Sequence, residues 1–353
     1  MQPSIAANSG TGTSGDPYGD LQYALNTLTR DGTNGDQINI ISGTAEILAA
    51  SLTLATYGTP TSAASLLFRG CTATADDGGI GDINCNNFAC FDSSTLDYIS
   101  FEDMKIHGSG TAKLILLDSY CHFINCEFYD SSFTTYAFDI NTGSSAQGCY
   151  FHDISGFGCT GGSSLFYGNR MEYAALVGVG LTNAGGVAIN NVIKLSRTDG
   201  YGVLLSQHYT RAIGNSIYNS TAGTNSGVRA TTAFVGQLVA NNIIEGWSGT
   251  GGKGVDVAGN NATLLSNRFY NCTTNMTLTG NPAINEDNSS LSASGFTNAA
   301  TGDFTPTTEV TATAFPSAYS TTTNYLDHGA VQKEAGGGGG GIKLAGFGGG
   351  MIG

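Results

Sequence analysis

Residues 101–271 carry one short motif eight times, and this motif decides the fold. The eight copies are FEDMKIHG (101–108), FINCEFYD (123–130), AQGCYFHD (146–153), FYGNRMEY (166–173), AINNVIKL (188–195), AIGNSIYN (212–219), VANNIIEG (239–246) and LLSNRFYN (264–271). Their fourth positions follow one another at intervals of 20 to 27 residues. A period of this length with strand-like alternation is typical of a β-solenoid, in which each coil buries its apolar side chains against the next.

The sixth position of the motif is apolar in every copy. It holds Ile106, Phe128, Phe151, Met171, Ile193, Ile217, Ile244 and Phe269. Coils that stack about 4.8 Å apart would bring these side chains into one inward column. Full burial of a Phe or Ile side chain contributes about 1.5–3 kcal/mol, so we expect this column to form the core.

The fourth position of the motif marks a corner of each coil. It holds Asn169, Asn191, Asn215, Asn242 and Asn267 in the last five copies and Met104, Cys126 and Cys149 in the first three. We predict an asparagine ladder, in which each side-chain amide bonds the next Asn and the turn backbone. Asn also tolerates the left-handed conformation that corners require. The two cysteines are expected to fill the same place as small buried residues.

The composition agrees with a ribbon of tight turns and narrows the range of partners. Charged residues make up 11% of the chain and 52 of its 353 residues are glycine, which argues against an α-helical protein. The formal net charge of −14 disfavours nucleic acid and anionic membranes as partners. The sequence has no run of eighteen consecutive apolar residues, so we predict no insertion into a membrane. The first twenty residues do not resemble a signal peptide.

The eight cysteines follow neither a disulfide framework nor zinc spacing, so we predict no metal site and no cofactor. Most are expected to be buried thiols. Cys85 and Cys90 share a loop and are the best candidates for a disulfide.

The rest of the chain divides into segments around the repeats. We predict an extended arm at 1–19, a capping helix at 20–36, a parallel β-helix at 37–280, an irregular C-terminal cap at 281–334 and a Gly-rich docking tail at 335–353. In the capping helix Leu21, Ala24 and Leu25 recur at helical spacing, with Asp20 as N-cap and Gly32 just past the end.

The C-terminal tail combines flexibility with apolar side chains. Six consecutive glycines at 336–341 precede Ile342, Leu344, Phe347, Met351 and Ile352. Apolar residues on a flexible linker favour docking into a groove of another chain. The alternative is a tail without a role.

The chain resembles a known superfamily in three stretches. The helix GDLQYALNT, the strand GDQINI and the Asn-cornered coils are similar to right-handed parallel β-helix proteins, which include pectate lyases, polygalacturonases and phage tailspikes. The ending LDHGAVQ (326–332) resembles the "DIGAVQ"-type ending of β-helix proteins from tailed phages and some bacteria, with His328 where Ile is usual. The resemblance implies an all-β right-handed solenoid, and the phage versions usually assemble as trimers. This fold hosts enzymes and inert structural proteins alike.

The best candidate for a chemical site is a pair of acids on adjacent coils, Asp130 and Asp153. His152 and Glu172 are expected nearby, on the outward face of the same sheet. Such a group suits a glycosidase or lyase, which needs clustered carboxylates, or a cation or glycan contact. In the alternative interpretation, these Asp residues only bond their own corners at strand ends. The NTD, GHG and RIK-type motifs of polygalacturonases are missing.

Two functions follow from these patterns. The first is a non-catalytic structural component of a phage particle, as a capsid decoration protein or a part of a tail spike or fibre. It would be a homotrimer on the particle surface that contacts other virion proteins, and glycan binding, including cell-surface polysaccharide, stays open. The alternative is an extracellular or virion-borne polysaccharide lyase or glycoside hydrolase.

Overall fold

The computed structural model describes residues 20–43, 45–72, 77–133, 136–173, 176–182, 184–231, 234–282 and 284–306, and the backbone at 331–332 and 343–344. The chain divides into two compact units, Met1–Gly156 and Phe157–Gly353, called unit 1 and unit 2. Nearly all regular structure is β, which confirms the predicted fold class of a parallel β-solenoid.

Each unit is built from short strands in a repeating order. Unit 1 contains α1 (Leu21–Thr27), β1 (Asp36–Ile41), β2 (Glu46–Ile47), β3 (Leu66–Cys71), β4 (Gly81–Asn84), β5 (Phe91–Asp92), β6 (Ile99–Glu102), β7 (Met104–Gly110), β8 (Ile115–Leu116), β9 (His122–Ile124), β10 (Glu127–Ser131), β11 (Tyr136–Ile140), β12 (Ser145–Gln147) and β13 (Tyr150–Ile154).

Unit 2 continues with β14 (Phe157–Gly161), β15 (Leu165–Tyr167), β16 (Arg170–Tyr173), β17 (Val177–Leu181), β18 (Val187–Ile189), β19 (Val192–Leu195), β20 (Tyr201–Leu205), β21 (Arg211–Ile213), β22 (Ser216–Asn219), β23 (Ser226–Ala230), β24 (Leu238–Ala240), β25 (Ile243–Glu245), β26 (Lys253–Val257), β27 (Thr263–Leu265), β28 (Arg268–Tyr270), β29 (Thr274–Leu278), β30 (Ile284–Glu286), β31 (Ser289–Ser290), β32 (Phe296–Asn298), a 3-10 turn (Ala299–Thr301), β33 (Asp303–Pro306), β34 (Val331–Gln332) and β35 (Lys343–Leu344).

Strands of successive coils pair in parallel and form three ladders in each unit. In unit 1, ladder A is β1-β3-β6-β9-β12, ladder B is β2-β4-β7-β10-β13 and ladder C is β5-β8-β11. In unit 2, ladder A is β15-β18-β21-β24-β27-β30, ladder B is β16-β19-β22-β25-β28-β31 and ladder C is β14-β17-β20-β23-β26-β29. The repeated motif spans the last strand residues of ladder A, the corner and the strand of ladder B.

The register of ladder B places the sixth-position residues of each unit over one another. In unit 1 Ile106 pairs with Phe128 and Phe128 with Phe151. In unit 2 the column runs Met171, Ile193, Ile217, Ile244, Phe269. All eight side chains are at most 1% exposed. The rings of Phe128 and Phe151 stack with centroids 4.9 Å apart, so coil stacking is also ring stacking.

The corner between ladders A and B has a different conformation from the one the sequence suggested. The left-handed residue is the one before the fourth position, not the Asn itself. It is Asp103, Asn125 and Gly148 in unit 1 and Gly168, Asn190, Gly214, Asn241, Ser266 and Asp287 in unit 2, with φ between 52° and 63°. Left-handed backbone at the third position turns the chain and points the fourth side chain inward. The ladder Asn is therefore free to take ordinary backbone angles.

The asparagine ladder of unit 2 is a continuous chain of buried amides. The Oδ1 of Asn215 accepts hydrogen bonds from the backbone N–H and the Nδ2 of Asn191, both at 3.0 Å. Its own Nδ2 donates to the Ala188 carbonyl at 3.0 Å and to the Asn242 Oδ1 at 2.9 Å. The ladder Asn residues from 169 to 267 are 0% exposed. Burial is tolerated because every amide group has a partner.

The ladder extends one coil beyond the eight motifs. Asn288 accepts from the backbone N–H and the Nδ2 of Asn267 at 2.9 and 2.8 Å, and β30 and β31 pair with β27 and β28. The repeat was missed in the sequence because Ser290 replaces the apolar residue of the sixth position. Coiled structure thus continues past the predicted boundary at residue 280.

In unit 1 two cysteines take the place of the ladder asparagines. The Cys126 thiol lies 3.5 Å from the Phe101 carbonyl oxygen, and the Cys149 thiol lies 3.5 Å from that of Phe123. All eight cysteines are free thiols, so Cys85 and Cys90 form no disulfide here. Burial raises the pKa of the Cys90 thiol, and contact with Cys85 adds to this effect.

The single described helix, α1, begins as predicted and ends early. The Asp20 carboxylate accepts from the Tyr23 N–H at 2.5 Å, and the Leu21 N–H donates to Glu46 in β2 at 3.0 Å. The helix stops at Thr27, whereas the sequence suggested an end before Gly32. Leu28 is already extended and ends the helix as its C-cap, with its N–H donating to the Ala24 carbonyl.

Residues after the last coil form a hairpin against the side of unit 2. Strands β32 and β33 pair antiparallel around the 3-10 turn. Phe296 and Phe304 pack with Val192 and Ile243, which are outward residues of ladder B. This part of the predicted irregular cap therefore covers a sheet face.

The remaining terminal segments are described only in part. The arm at 1–19 and the tail residues Ile342, Phe347, Met351 and Ile352 lie outside the described residues. Leu344 lies in β35, which pairs antiparallel with β34 through Val331 and Leu344.

Replacement of Asn215 by Ala tests the ladder. The change removes the buried acceptor of the Asn191 N–H and of one Asn191 amide bond, and the side-chain donor to the Ala188 carbonyl, so we expect a loss of about 2–5 kcal/mol in the free energy of unfolding. Chemical denaturation measures it. Asn288→Ala is the control, since water reaches this half-buried end of the ladder. Equal losses for the two variants would contradict the ladder's role.

Replacement of Phe151 by Asp tests the inward column. The carboxylate would be buried between Phe128 and Phe138, where no cation is available, so we expect no folded protein. Phe151→Leu keeps the apolar contact and should fold with reduced stability. Circular dichroism and solubility distinguish the two, and a native-like Asp variant would refute the register.

Candidate functional site

The outward face of ladder B in unit 1 concentrates polar and aromatic side chains. Two columns flank the inward one. The first contains Lys105, Glu127 and Tyr150 in register, and the second contains His107, Tyr129 and His152. The parallel pairing that builds the core therefore also aligns these side chains on the surface.

The second column is a stack of three rings. Tyr129 lies between His107 and His152, with ring centroids 4.5 and 4.8 Å away and interplanar angles of 3° and 8°. The two faces of the phenol ring are thereby occupied. Only ring edges and the hydroxyl remain for an incoming molecule, and this hydroxyl has no hydrogen-bond partner among the described residues.

Ion pairs connect the two columns. Lys105 Nζ lies 3.1 Å from Glu127 Oε2, and His152 Nε2 lies 3.0 Å from Glu127 Oε1. The other nitrogen of His152 lies 2.8 Å from an Asp153 carboxylate oxygen. Both imidazole nitrogens of His152 are therefore held by carboxylates, and neither is free to accept a proton from a substrate.

Electrostatics stabilise the resting charge states of this face. Burial alone would raise the pKa of Glu127, but hydrogen bonds from His152 and Lys105 outweigh it and hold the pKa below its usual range. The hydrogen bond with Glu127 raises the pKa of Lys105. Burial, together with the charges of Asp82 and Glu127, raises the pKa of Tyr129. Each shift makes the group a poorer proton donor or acceptor near neutral pH.

The two acids singled out in the sequence occupy a bend in ladder B. Asp130 and Asp153 have left-handed backbones, with φ of 57° and 51°. Both are exposed, and the Asp153 side chain is 79% exposed. Asp is one of the few residues that adopt this conformation readily, so the bend itself explains its presence at both positions.

Glu172 belongs to unit 2 and has partners of its own. Its carboxylate accepts from Arg170 Nε at 2.5 Å and lies 3.7 Å from Lys194 Nζ. Lys194 also donates to the Ala300 carbonyl in the turn between β32 and β33, at 2.9 Å. Glu172 therefore contributes to the contact between ladder B and the C-terminal hairpin.

In unit 2 the C-terminal hairpin covers part of the outward face of ladder B. Glu245 is 6% exposed and accepts a hydrogen bond from the Ser294 hydroxyl at 2.9 Å. Burial raises the pKa of Glu245, and this effect exceeds the opposing hydrogen bonds. Beneath the hairpin, this face is therefore closed to an incoming molecule, unlike the polar face described above in unit 1.

Sequence reasoning identified His152 and Asp153 but missed their main partners. Lys105 and Glu127 occupy the fifth position of the motif, one residue after the corner, and only the seventh and eighth positions had been considered. The signal was present, because opposite charges stand at the same position of successive copies. The sequence also contained a signal for the hairpin that covers ladder B, since Val192 and Ile243 are apolar residues at this same outward position.

Comparison with known proteins adds a likeness of fold. No protein-family model and no curated protein matches the chain. Among solved structures, the chain is similar to the A-module of the mannuronan C-5 epimerase AlgE4 of Azotobacter vinelandii, with 14% sequence identity and a TM-score of 0.39. The match covers 71% of this chain and 91% of that module. The assignment of the fold rests on the strand pairing above.

The part of the chain that the structure describes lacks two kinds of site. Within the described ranges, no helix has the length and apolarity needed to cross a membrane. The same ranges contain no group of three or more His, Cys, Asp or Glu residues arranged to hold a metal ion.

Substitution of Glu127 by Gln tests the ion pairs of this face. Because the folded-state pKa of Glu127 is depressed, its ionisation stabilises the fold fully above the unfolded value of about 4.3 and less as the pH falls below it. The wild type should therefore lose more thermal stability than Glu127→Gln between about pH 6 and about pH 3. The exposed Glu286→Gln serves as control. Parallel curves for wild type and Glu127→Gln would show that these pairs have no influence on folding.

Proposed function

We propose that this chain is a non-catalytic structural component of a multi-chain assembly, namely a bacteriophage particle. The observation that supports the non-catalytic part is the mutual pairing on the outward face of unit 1. The polar side chains there pair with one another, as seen for Lys105, Glu127, His152 and Asp153. The pKa values of Glu127 and Lys105 are shifted away from neutral pH, downward for Glu127 and upward for Lys105. A catalytic acid or base needs the opposite, a pKa close to the working pH and a free atom.

The pairing has a structural role that accounts for it. Two ion pairs and the ring stack join neighbouring coils, so the network adds to the backbone hydrogen bonds between them, whereas His152 and Asp153 pair within one coil. Lys105 with Glu127 and Glu127 with His152 are both contacts between successive strands of ladder B. Half-buried pairs of this kind contribute more than fully exposed ones because they are less screened.

The location in a phage particle rests on the sequence. The ending 326–332 and the Gly-rich tail with its apolar residues resemble phage β-helix proteins. On this proposal the chain lies at the particle surface and contacts other virion proteins and copies of itself. The homotrimer and a contact with cell-surface polysaccharide remain predictions.

A polysaccharide-active protein is the second candidate, and one observation favours it. The Tyr129 hydroxyl lacks a protein partner in the described residues and lies on the same face as Lys105 and His152. A hydroxyl beside cationic groups suits the hydroxyls and carboxylates of an acidic polysaccharide. The exposed carboxylate of Asp153 would border the same place.

Incubation with acidic polysaccharides distinguishes the two candidates. We expect the purified chain to release no reducing ends or unsaturated sugars from alginate, pectate or hyaluronan, and to leave their uronate configuration unchanged by NMR. Product formation that is lost in Tyr129→Phe but kept in Tyr270→Phe would establish the second candidate. The first variant keeps the ring between its two histidines, so a structural defect is not expected.

Immunogold labelling of intact phage particles tests the structural assignment directly. We expect an antibody against the folded chain to label the particle surface at regular positions. Absence of the chain from purified particles would refute a virion role, whatever the outcome of the polysaccharide assay.

A further inference from the structure

The outward face of ladder A in unit 2 is apolar, although it lies on the outside of the coils. In each three-residue strand the central side chain points inward and is buried, as with Phe166 and Val239. The residues on either side point outward. The first outward column runs in register through Leu165, Val187, Arg211, Leu238, Thr263 and Ile284.

The second outward column reinforces the first. It includes Ile189, Ile213 and Leu265, which pair in the same register. Most of these side chains are half-buried by their neighbours above and below, whereas Arg211 and Ile284 are exposed, Ile284 to 41%. We call the two columns together the apolar strip. A contiguous apolar surface of this kind marks an interaction site on a soluble protein.

The same ladder in unit 1 shows what a solvent-facing surface looks like in this protein. There most outward positions are polar, with Leu67 and Ile124 as exceptions, and several of them bond one another. Arg69 pairs with Glu102, the His122 ring bonds the Ser145 hydroxyl at 3.0 Å, and Gln147 donates to that hydroxyl at 3.0 Å. An apolar outward face is therefore a property of unit 2 and not of ladder A in general.

Unit 2 also shows that outward apolar residues become covered. Val192 and Ile243, outward on ladder B, lie beneath Phe296 and Phe304 of the hairpin. A parallel sheet with apolar residues on both faces is typical of a sheet buried on both sides. By this rule, we expect another surface to cover the outward face of ladder A in unit 2 as well.

We propose that the apolar strip is the contact surface with a second copy of this chain. The strip is about 29 Å long for six coils at about 4.8 Å each and about 10 Å wide for three-residue strands. Apolar sheet faces pack on other sheets, whereas single extended segments bind in grooves or along strand edges. Another copy supplies a face of the same length and character.

Charges within the strip permit this contact. In two copies that face one another with parallel axes, corresponding coils lie at the same level. The first column of one copy is then opposite the second column of the other. Arg211 then lies over Ile213 of the other copy, where its stem packs and its guanidinium reaches solvent, rather than over Arg211 itself. Glu286 likewise lies over Ile284. Each chain carries a formal net charge of −14, but one cation and one anion leave the strip neutral.

An exposed tyrosine widens the surface beside the strip. Tyr209 lies two residues before β21, is 58% exposed and has a left-handed φ of 58°. A Cβ at Gly236 would lie 2.6 Å from its ring, so the ring rests directly on that glycine. Tyrosine is enriched in protein interfaces. Strip and tyrosine together fall at the small end of interface sizes, so we expect association that depends on concentration.

Multi-angle light scattering on the full chain over a concentration series tests the proposal. As the concentration of the chain rises to about 100 µM, we expect the measured mass to exceed that of one chain. This is the concentration range in which small interfaces associate. Leu238→Asp, at the centre of the strip, should weaken association at least about tenfold, and Ser100→Asp, an outward residue of ladder A in unit 1, should not. If Leu238→Asp does not fold by circular dichroism, Ile284→Asp at an exposed position replaces it.

A monomer at every concentration, or association unaffected by either strip variant, would overturn the proposal. So would a chain shortened after residue 334 that newly binds a hydrophobic dye, since the strip would then be covered by its own tail. The inference is independent of the phage assignment and of the predicted homotrimer, because the same patch on two facing copies closes as a dimer. A chain that associates through the strip but is absent from particles would refute only the proposed function.

Discussion

Parallel hydrogen bonding between successive coils in one register is the constraint from which the other features follow. It requires each coil to repeat the conformation of the previous one, including a left-handed residue before the corner. Side chains at equal positions then fall into columns, some inward and some outward. The columns of Phe and Ile, the buried amides and the surface ion pairs are all consequences of the same alignment.

The amide ladder fixes that alignment more strictly than apolar packing does. An apolar column tolerates a small slip, because Met171 and Ile193 would still touch other carbon atoms. A slip at Asn191 would leave buried N–H and carbonyl groups unbonded, which costs far more than a lost contact. In unit 1 the thiols of Cys126 and Cys149 take this place, and stacked Phe rings contribute to holding the register there.

The fold was readable from the sequence because the residues that determine it recur at a fixed period. Phe128, Phe151 and the Asn residues repeat at equal places, so the rings can form an inward column and the amides can bond one another at the corners. Other features depend on contacts between residues far apart in the chain, and such contacts produce no repeating pattern in the sequence. Phe304 covers Ile243 across a long separation in sequence, and Ser290 hides the last coil by breaking the pattern. His152 was identified as part of a site. Its bond to Glu127 depends on which side chains of neighbouring outward columns reach one another, and the motif alone does not show this.

The buried amides also give the solenoid a direction. Each Asn donates its backbone N–H to the next Asn along the chain and receives the same bond from the one before, so every joint between coils of unit 2 is chemically alike. Removal or duplication of one whole coil between two such corners would recreate the same joint. The number of coils in unit 2 can therefore change in evolution by whole steps of about 4.8 Å, without any redesign of its interior.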